Sequence, residues 1–279
     1  MRVLKALLKH PSGRIGAAII VLYLVAAGLG ALGLTPHNAL KQFPIDRLKP
    51  PSPSYWMGTD LLGRDTFSRL MLGIGQSLVV AFASVLGASV AGSIIGLFAA
   101  WWGGLWDSVL MRLTDVLLAF PAILLALLII AIVGPGTYTS IAAIAIVYTP
   151  IFARVVRGPA LSLKRRDFVD AARTFGSSQG YILTRHLLLN LVAPLTVQVT
   201  LALAWALLTE AGLSFLGLGT QPPAPSLGLM LADSKNLMQH APWLMLFPGL
   251  TVMLGILGFN LTGDALRDIL DPRTKARAA

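Results

Sequence analysis

The sequence predicts an all-α polytopic membrane protein with six transmembrane helices and a helix-turn-helix loop projecting between the fourth and the fifth. Three observations carry this. Hydrophobic residues make up 56% of the chain and charged residues 12%, and the mean hydropathy of +0.75 lies far above that of soluble domains. Apolar runs at 15–34, 77–102, 116–133, 140–156, 187–208 and 243–263 are each long enough to cross a hydrocarbon layer of roughly 30 Å. Between the fourth and fifth runs lies one long charged stretch, Leu163-Lys164-Arg165-Arg166-Asp167-Phe168-Val169-Asp170-Ala171-Ala172-Arg173-Thr174-Phe175-Gly176-Ser177-Ser178-Gln179-Gly180.

Taken in order, residues 1–14 form a basic tail with Arg2, Lys5, Lys9 and Arg14, and 15–34 the first transmembrane helix. A signal peptide shares this charge order, but its apolar region is shorter, and here further spans follow. Residues 35–76 are polar and proline-rich, with Pro44, Pro50, Pro51 and Pro53, so regular structure is expected only near their end. There Asp65, Phe67, Arg69, Leu70 and Met71 have the pattern of an amphipathic helix lying on the membrane surface. Residues 77–263 form a five-helix core. In its first helix Gly87, Gly92 and Gly96 are spaced for close helix packing, while Pro121 and Pro150 are expected to kink or end theirs unless neighbours satisfy the freed carbonyls. Within the core, 209–242 is a loop on the opposite side from the charged stretch. Its part Glu210 to Ser226 is too broken by Gly and Pro for a plain helix, which suits a re-entrant or surface-lying lid. Residues 264–279 are a tail on the side of the N-terminus.

Charge sets the orientation. A net charge of +10 is compatible with nucleic acid, but no zinc, RNP or basic-helix pattern is present and the basic residues gather at the ends of apolar runs. Of the 22 Lys and Arg, sixteen fall on the side shared by 1–14, 103–115, 154–186 and the C-terminal tail. That side is the cytoplasm by the positive-inside rule, so both termini and the charged stretch 160–186 are expected there. Without cysteine there is neither a disulfide framework nor a thiolate site.

At helical spacing Phe168, Ala171, Ala172 and Phe175 fall on one stripe, with Arg165, Arg166, Asp170 and Arg173 on the other faces. Asp167 and Asp170 suggest a relaxed capping box, Gly176 a left-handed helix end, and Ser177 or Ser178 the cap of a second helix through Tyr181 and Ile182. Small alanines beside a glycine turn let another protein approach the backbone closely, so docking is one reading. A solvated basic loop is the other.

Asp170-Ala171-Ala172-x-x-x-Gly176, followed by Arg185-His186-x-x-x-Asn190, resembles the EAA loop of binding-protein-dependent ABC importer permeases. Asp170 stands where Glu is usual and Leu189 where the peptide-type permeases usually have Pro; neither change removes the turn. Gly58-Thr59-Asp60-x-x-Gly63-Arg64-Asp65-x-x-Ser68-Arg69-Leu70 is similar to the segment before the second helix in C-type subunits of the dipeptide, oligopeptide and nickel branch. The outer loop, Ala241-Pro242-Trp243-Leu244, and a closing motif from Phe259 to Asp271-Pro272-Arg273 extend the likeness from Gly58 to Arg273. The resemblance implies a type I ABC importer permease fold. It also implies a coupling loop, 160–186, in which Asp170, Ala171, Ala172, Arg173, Gly176, Arg185, His186 and Asn190 seat a separate ATP-hydrolysing subunit. The implied partners are a second, usually non-identical permease, two P-loop ATPases that bind the ATP and Mg, and an extracytoplasmic solute-binding protein, all in a bacterial or archaeal inner membrane. Di- or oligopeptides are the leading cargo; nickel chelates, glutathione, opines and oligosaccharides are alternatives.

The chain's own chemistry fits a permease that is not an enzyme. No G-x-x-x-x-G-K-[ST] phosphate loop is present, and the spans lack the ladder of carboxylates and histidines of a proton-coupled carrier. His10, His37, His186 and His240 sit in separate segments with no i, i+4 pair, so neither a metal nor a cofactor is expected in this chain. His186 reads as a structural group near the turn. Glu210 and Gln221 are candidates for the pathway or an outer gate, with packing or topology as the competing role for Glu210. A stand-alone channel or carrier, or a scaffold that merely recruits an ATPase, are the readings from other classes.

Overall fold

A computed structural model describes residues 2–270, so Asp271, Pro272 and Arg273 of the closing motif lie outside the described residues. Eleven α-helical segments and no strand are found among them: α1 Arg2–Lys9, α2 Pro11–Ala31, α3 Thr66–Trp102, α4 Gly104–Leu118, α5 Ala122–Val133, α6 Thr137–Leu163, α7 Asp167–Thr174, α8 Gln179–Tyr181, α9 Val192–Phe215, α10 Leu227–Ser234 and α11 Trp243–Leu270. Five of these, α2, α3, α6, α9 and α11, are long and apolar enough to cross a membrane. The α4–α5 pair makes a sixth span if it is counted as one broken helix. Outward-facing Val21, Leu22, Leu86, Ile94, Ile132 and Leu257 are exposed, as expected of surfaces that face lipid tails.

The helix limits differ from the sequence reading: α6 and α11 run on past the expected 156 and 263, to Leu163 and Leu270, and five further departures bear on the fold. First, α2 begins at Pro11 after a short α1, because proline fits the first helical position, where its missing N–H has no helical partner anyway. Second, there is no separate surface helix before the second span. Asp65 caps α3, its carboxylate accepting from Ser68 N at 3.1 Å, and the helix runs unbroken for 37 residues. The alternation seen at Asp65 to Met71 reflects burial against protein; Ser68, Arg69, Leu70 and Met71 are all buried.

Third, Pro121 ends a helix outright, with α4 and α5 meeting at 92°. Fourth, Pro150 and Pro159 are carried inside an unbroken α6. Fifth, α9 continues through Glu210 to Phe215, and the outer turn starts only where Gly217 adopts φ +79°. Its closure is a C-terminal glycine motif in which Leu218 N bonds Leu213 O at 2.9 Å. The expected lid is therefore a short turn, 216–226, followed by α10.

The central element is α3. It packs most extensively on α6 and also contacts α2 and α9, while α11 closes the other side against α2, α9 and α10. Small residues make the close approach possible. Gly92 and Gly96 lie directly on the α6 backbone, where a Cβ would stand 2.6 Å from Thr149 O and 2.4 Å from Ala153 O, respectively. The main core joins Val80, Ala81 and Val85 of α3 to Ile144 and Phe152 of α6 and Leu207 of α9. At the α10 end, the connection 32–65 is irregular and pinned by side chains. Tyr55 Oη donates to Asp46 Oδ2 at 2.7 Å and Lys49 pairs with the same carboxylate; these two donors, Lys49 first, hold the Asp46 carboxyl below the usual carboxylate range.

Candidate functional site

At the end of the bundle opposite α10, α7, the turn at Gly176 and α8 form the helix-turn-helix that the sequence predicts. Arg166 takes the N-cap position without a side-chain hydrogen bond, and Asp167 and Asp170 lie in the first turn, where carboxylates suit the helix dipole; no capping box forms. The helix ends as expected. Gly176 has φ +76°, and Ser177 N reaches back to Ala172 O at 3.0 Å. Of the two candidate serines Ser178 is the cap, its Oγ accepting from Tyr181 N at 3.3 Å. The following Ile182–Leu188 segment is π-helical, a feature with no signature in the sequence.

Of the predicted apolar stripe only Ala172 turns inward, and the main anchor is Val169, which the stripe does not include. Val169, fully buried, and partly buried Ala172 turn inward onto a second core of Trp101, Val156, Ala160, Ile182, Leu187 and Leu191. Phe168, Ala171 and Phe175 remain outside, with Phe175 88% exposed next to the turn. One face thus fixes the motif to the ends of α3 and α6 and the other is presented to solvent. Around it Arg173 Nη1 lies 3.4 Å from Asp170 Oδ1, and Asn190 Nδ2 donates to His186 O at 2.5 Å. The His186 ring lies between Tyr181 and Phe168, with centroids 5.6 and 6.1 Å away, and Arg185 is exposed. The eight residues that the resemblance assigns to a coupling loop thus gather at one end of the molecule.

Sequence reasoning missed the clamp beneath them. Lys164 Nζ donates to Ala100 O at 3.2 Å and to Trp101 O, covering carbonyls that the C-terminus of α3 leaves free. The Trp101 ring carries the Arg173 guanidinium 4.7 Å from its centroid, and its Nε1 donates to Gln179 Oε1 at 3.3 Å. A tryptophan at the end of a span and a lysine opening the next polar stretch are the only signals of this clamp in the sequence. Lys164→Gln is expected to raise hydrogen exchange in 167–182 selectively, by the equivalent of about 1–2 kcal/mol of local stability. Unchanged exchange there would remove the clamp from the account.

Glu210 and Gln221 sit at the opposite end. Glu210 is fully buried; Ser214 Oγ donates to its Oε1 at 2.7 Å and also accepts from Thr220 N at 3.2 Å. Gln221 Nε2 donates to Gly217 O and Gly219 O, each at 3.0 Å. Glu210 thus stitches the 216–226 turn to α9 through Ser214, which fits its packing role, whereas Gln221 closes the turn on itself. Glu210→Gln, which keeps an acceptor for Ser214, is expected to fold and function. Glu210→Leu strands the serine and is expected to lower the detergent melting temperature, at a cost of about 1–3 kcal/mol. A folded Glu210→Gln protein that had lost uptake would favour the pathway role instead.

Residues 92–276 match the family described as "binding-protein-dependent transport system inner membrane component". The chain belongs to that family. Among relatives, it is 44% identical to the dipeptide transport system permease protein DppC of Alkalihalophilus pseudofirmus, over 98% of this chain and 89% of that one. It is 43% identical to the glutathione transport system permease protein GsiD of Pectobacterium atrosepticum, over 94% and 87%. The fold is similar to a structure of the MetNI methionine ABC transporter in inward-facing conformations, with a TM-score of 0.57 at 21% identity over 72% of this chain and 96% of that one. The protein is thus a multi-pass inner-membrane transport component with the fold of ABC transporter permeases.

Proposed function

We propose that this family member is one of two permease subunits of an ATP-driven importer for short peptides and that residues 160–186 seat the ATPase. The observation that carries this is the division of labour in the helix-turn-helix. Val169 and Ala172 root it in the transmembrane core, while Phe168, Ala171 and Phe175 face outward beside a glycine turn. A rooted, apolar-faced motif is a lever. Force applied by a partner at Phe175 reaches α6 directly and α9 through the π-helical segment, so closure of an ATPase pair would tilt these helices and alternate access.

In this reading 1–14, 160–186 and 264–279 are cytoplasmic and 35–76 and 209–242 extracytoplasmic, in keeping with the distribution of Lys and Arg. A second, non-identical permease completes the pathway, two P-loop subunits bind ATP and Mg, and a solute-binding protein delivers cargo. Short peptides are favoured because relatives named for dipeptide and for glutathione transport match almost equally well; glutathione is itself a tripeptide.

The test is a mild-detergent pull-down of the tagged chain from native membranes, with mass spectrometry of proteins and of any bound ligand. A second permease, P-loop ATPases and a solute-binding protein carrying a peptide are expected. A chain that repeatedly came down alone, with crosslinking at Asp170 to Gly176 also finding no ATPase, would point to a stand-alone channel or carrier. An assembled complex without solute flux would point to a scaffold.

A further inference from the structure

At the α10 end a cavity of about 210 Å³ opens between the start of α3, α10 and the first turn of α11. It combines buried charge with apolar wall. On its inner side stand Arg69, 2% exposed, with Thr66 and Ser234, both 1% exposed. Asp233 is on the solvent-exposed side, and Leu62, Met230 and Leu244 supply apolar surface.

The charges are unevenly spent. Asp60 Oδ2 is held by Arg64 Nε at 2.6 Å and lies farther from Arg69 Nε, at 3.4 Å. Arg69 Nη1 and Thr66 Oγ1 are closed to water and have no hydrogen-bond partner among the described residues. A buried guanidinium with an open N–H, beside an unpaired hydroxyl, calls for an oxygen anion. Asp233 on the outer side calls for a cation.

We propose that this cavity binds a small zwitterion, its carboxylate toward Arg69 and Thr66, its ammonium toward Asp233 and its side chain on the leucine and methionine wall. The volume is below the usual range for drug-sized ligands and suits a free amino acid. The site goes beyond the import reading and does not depend on it.

The test uses the full-length chain in nanodiscs with radiolabelled L-leucine as probe, and unlabelled leucine, leucinamide and N-acetyl-leucine as competitors. Saturable binding is expected, with leucinamide, which lacks the carboxylate, and N-acetyl-leucine, which lacks the ammonium, each displacing about tenfold more weakly than leucine. Because Arg69→Gln also removes the contact with Asp60 and can cost folding, the informative variants are Thr66→Val and Asp233→Asn. Each should weaken leucine binding several-fold in protein that still elutes as wild type on gel filtration. Asp233→Asn should in addition erase the preference for leucine over N-acetyl-leucine while keeping that over leucinamide. Absence of saturable binding to folded wild-type protein, or equal displacement by all three competitors, overturns the proposal.

Discussion

Gly176→Trp is expected to abolish uptake in membranes while the chain inserts and accumulates normally. Two structural facts separate coupling from folding here. A Cβ at Gly176 would meet nothing within 4 Å, so no internal clash arises. The backbone at φ +76° charges a non-glycine residue only on the order of 1–2 kcal/mol, an amount a packed bundle can absorb. The indole would, however, stand on the presented face beside Phe175. Gly176→Ala carries the same backbone cost without the bulk, so it should retain much of the uptake. Transport assays with quantitative membrane immunoblots check both, and full uptake by the tryptophan variant would contradict the docking role.

Gly92→Leu and Gly96→Leu are expected to prevent assembly of the bundle. At Gly92 a Cβ would lie 2.5 Å from Phe152 Cβ and 2.6 Å from Thr149 O, and at Gly96 2.4 Å from Ala153 O. Backbone atoms cannot step aside as a flexible side chain can. Overpacking usually costs about 1–3 kcal/mol, and a leucine that forces apart the most extensive helix pair belongs at or beyond the top of that range. Gly87, grouped with them by spacing, is different: its Cβ would sit 3.4 Å from Ala145 Cβ, so Gly87→Ala should be tolerated. Gel filtration and thermal unfolding in detergent decide this. Monodisperse, wild-type-like Gly92→Leu protein would refute the packing described for α3 and α6.

Those three glycines also mark what the sequence could convey. Periodicity and length located the apolar helices, because a span must be long and uniformly apolar whatever surrounds it. Which glycine touches a neighbour depends on how α3 is rotated against α6, and that is set by the partner helix. The surface helix expected at Asp65 to Met71 failed for a related reason. Charge alternation looks the same whether the polar face meets water or, as for Arg69 and Ser68, a folded loop. Pro121 and Pro150 carry equal local signals, yet one breaks its helix and the other does not.

The turn at Gly176 and the Ser178 cap were legible in the sequence, since both act through local backbone chemistry. The clamp of Trp101, Lys164 and Gln179 was not, because its members come from three separated segments. The π-helical segment arises where α8 must continue toward α9 while the second core holds Ile182 and Leu187.

The central claim is that the face carrying Phe175 is where an ATPase sits. The chain contains no cysteine, so Phe175→Cys provides a single thiol in an otherwise unreactive background. In inside-out vesicles from cells making the whole complex, a short bifunctional thiol crosslinker should join this position to a P-loop subunit, with a yield that changes between ATP-bound and nucleotide-free states. In right-side-out vesicles a membrane-impermeant maleimide should leave it unlabelled. Labelling from the outer side, or crosslinks that never include a P-loop subunit, would contradict the account.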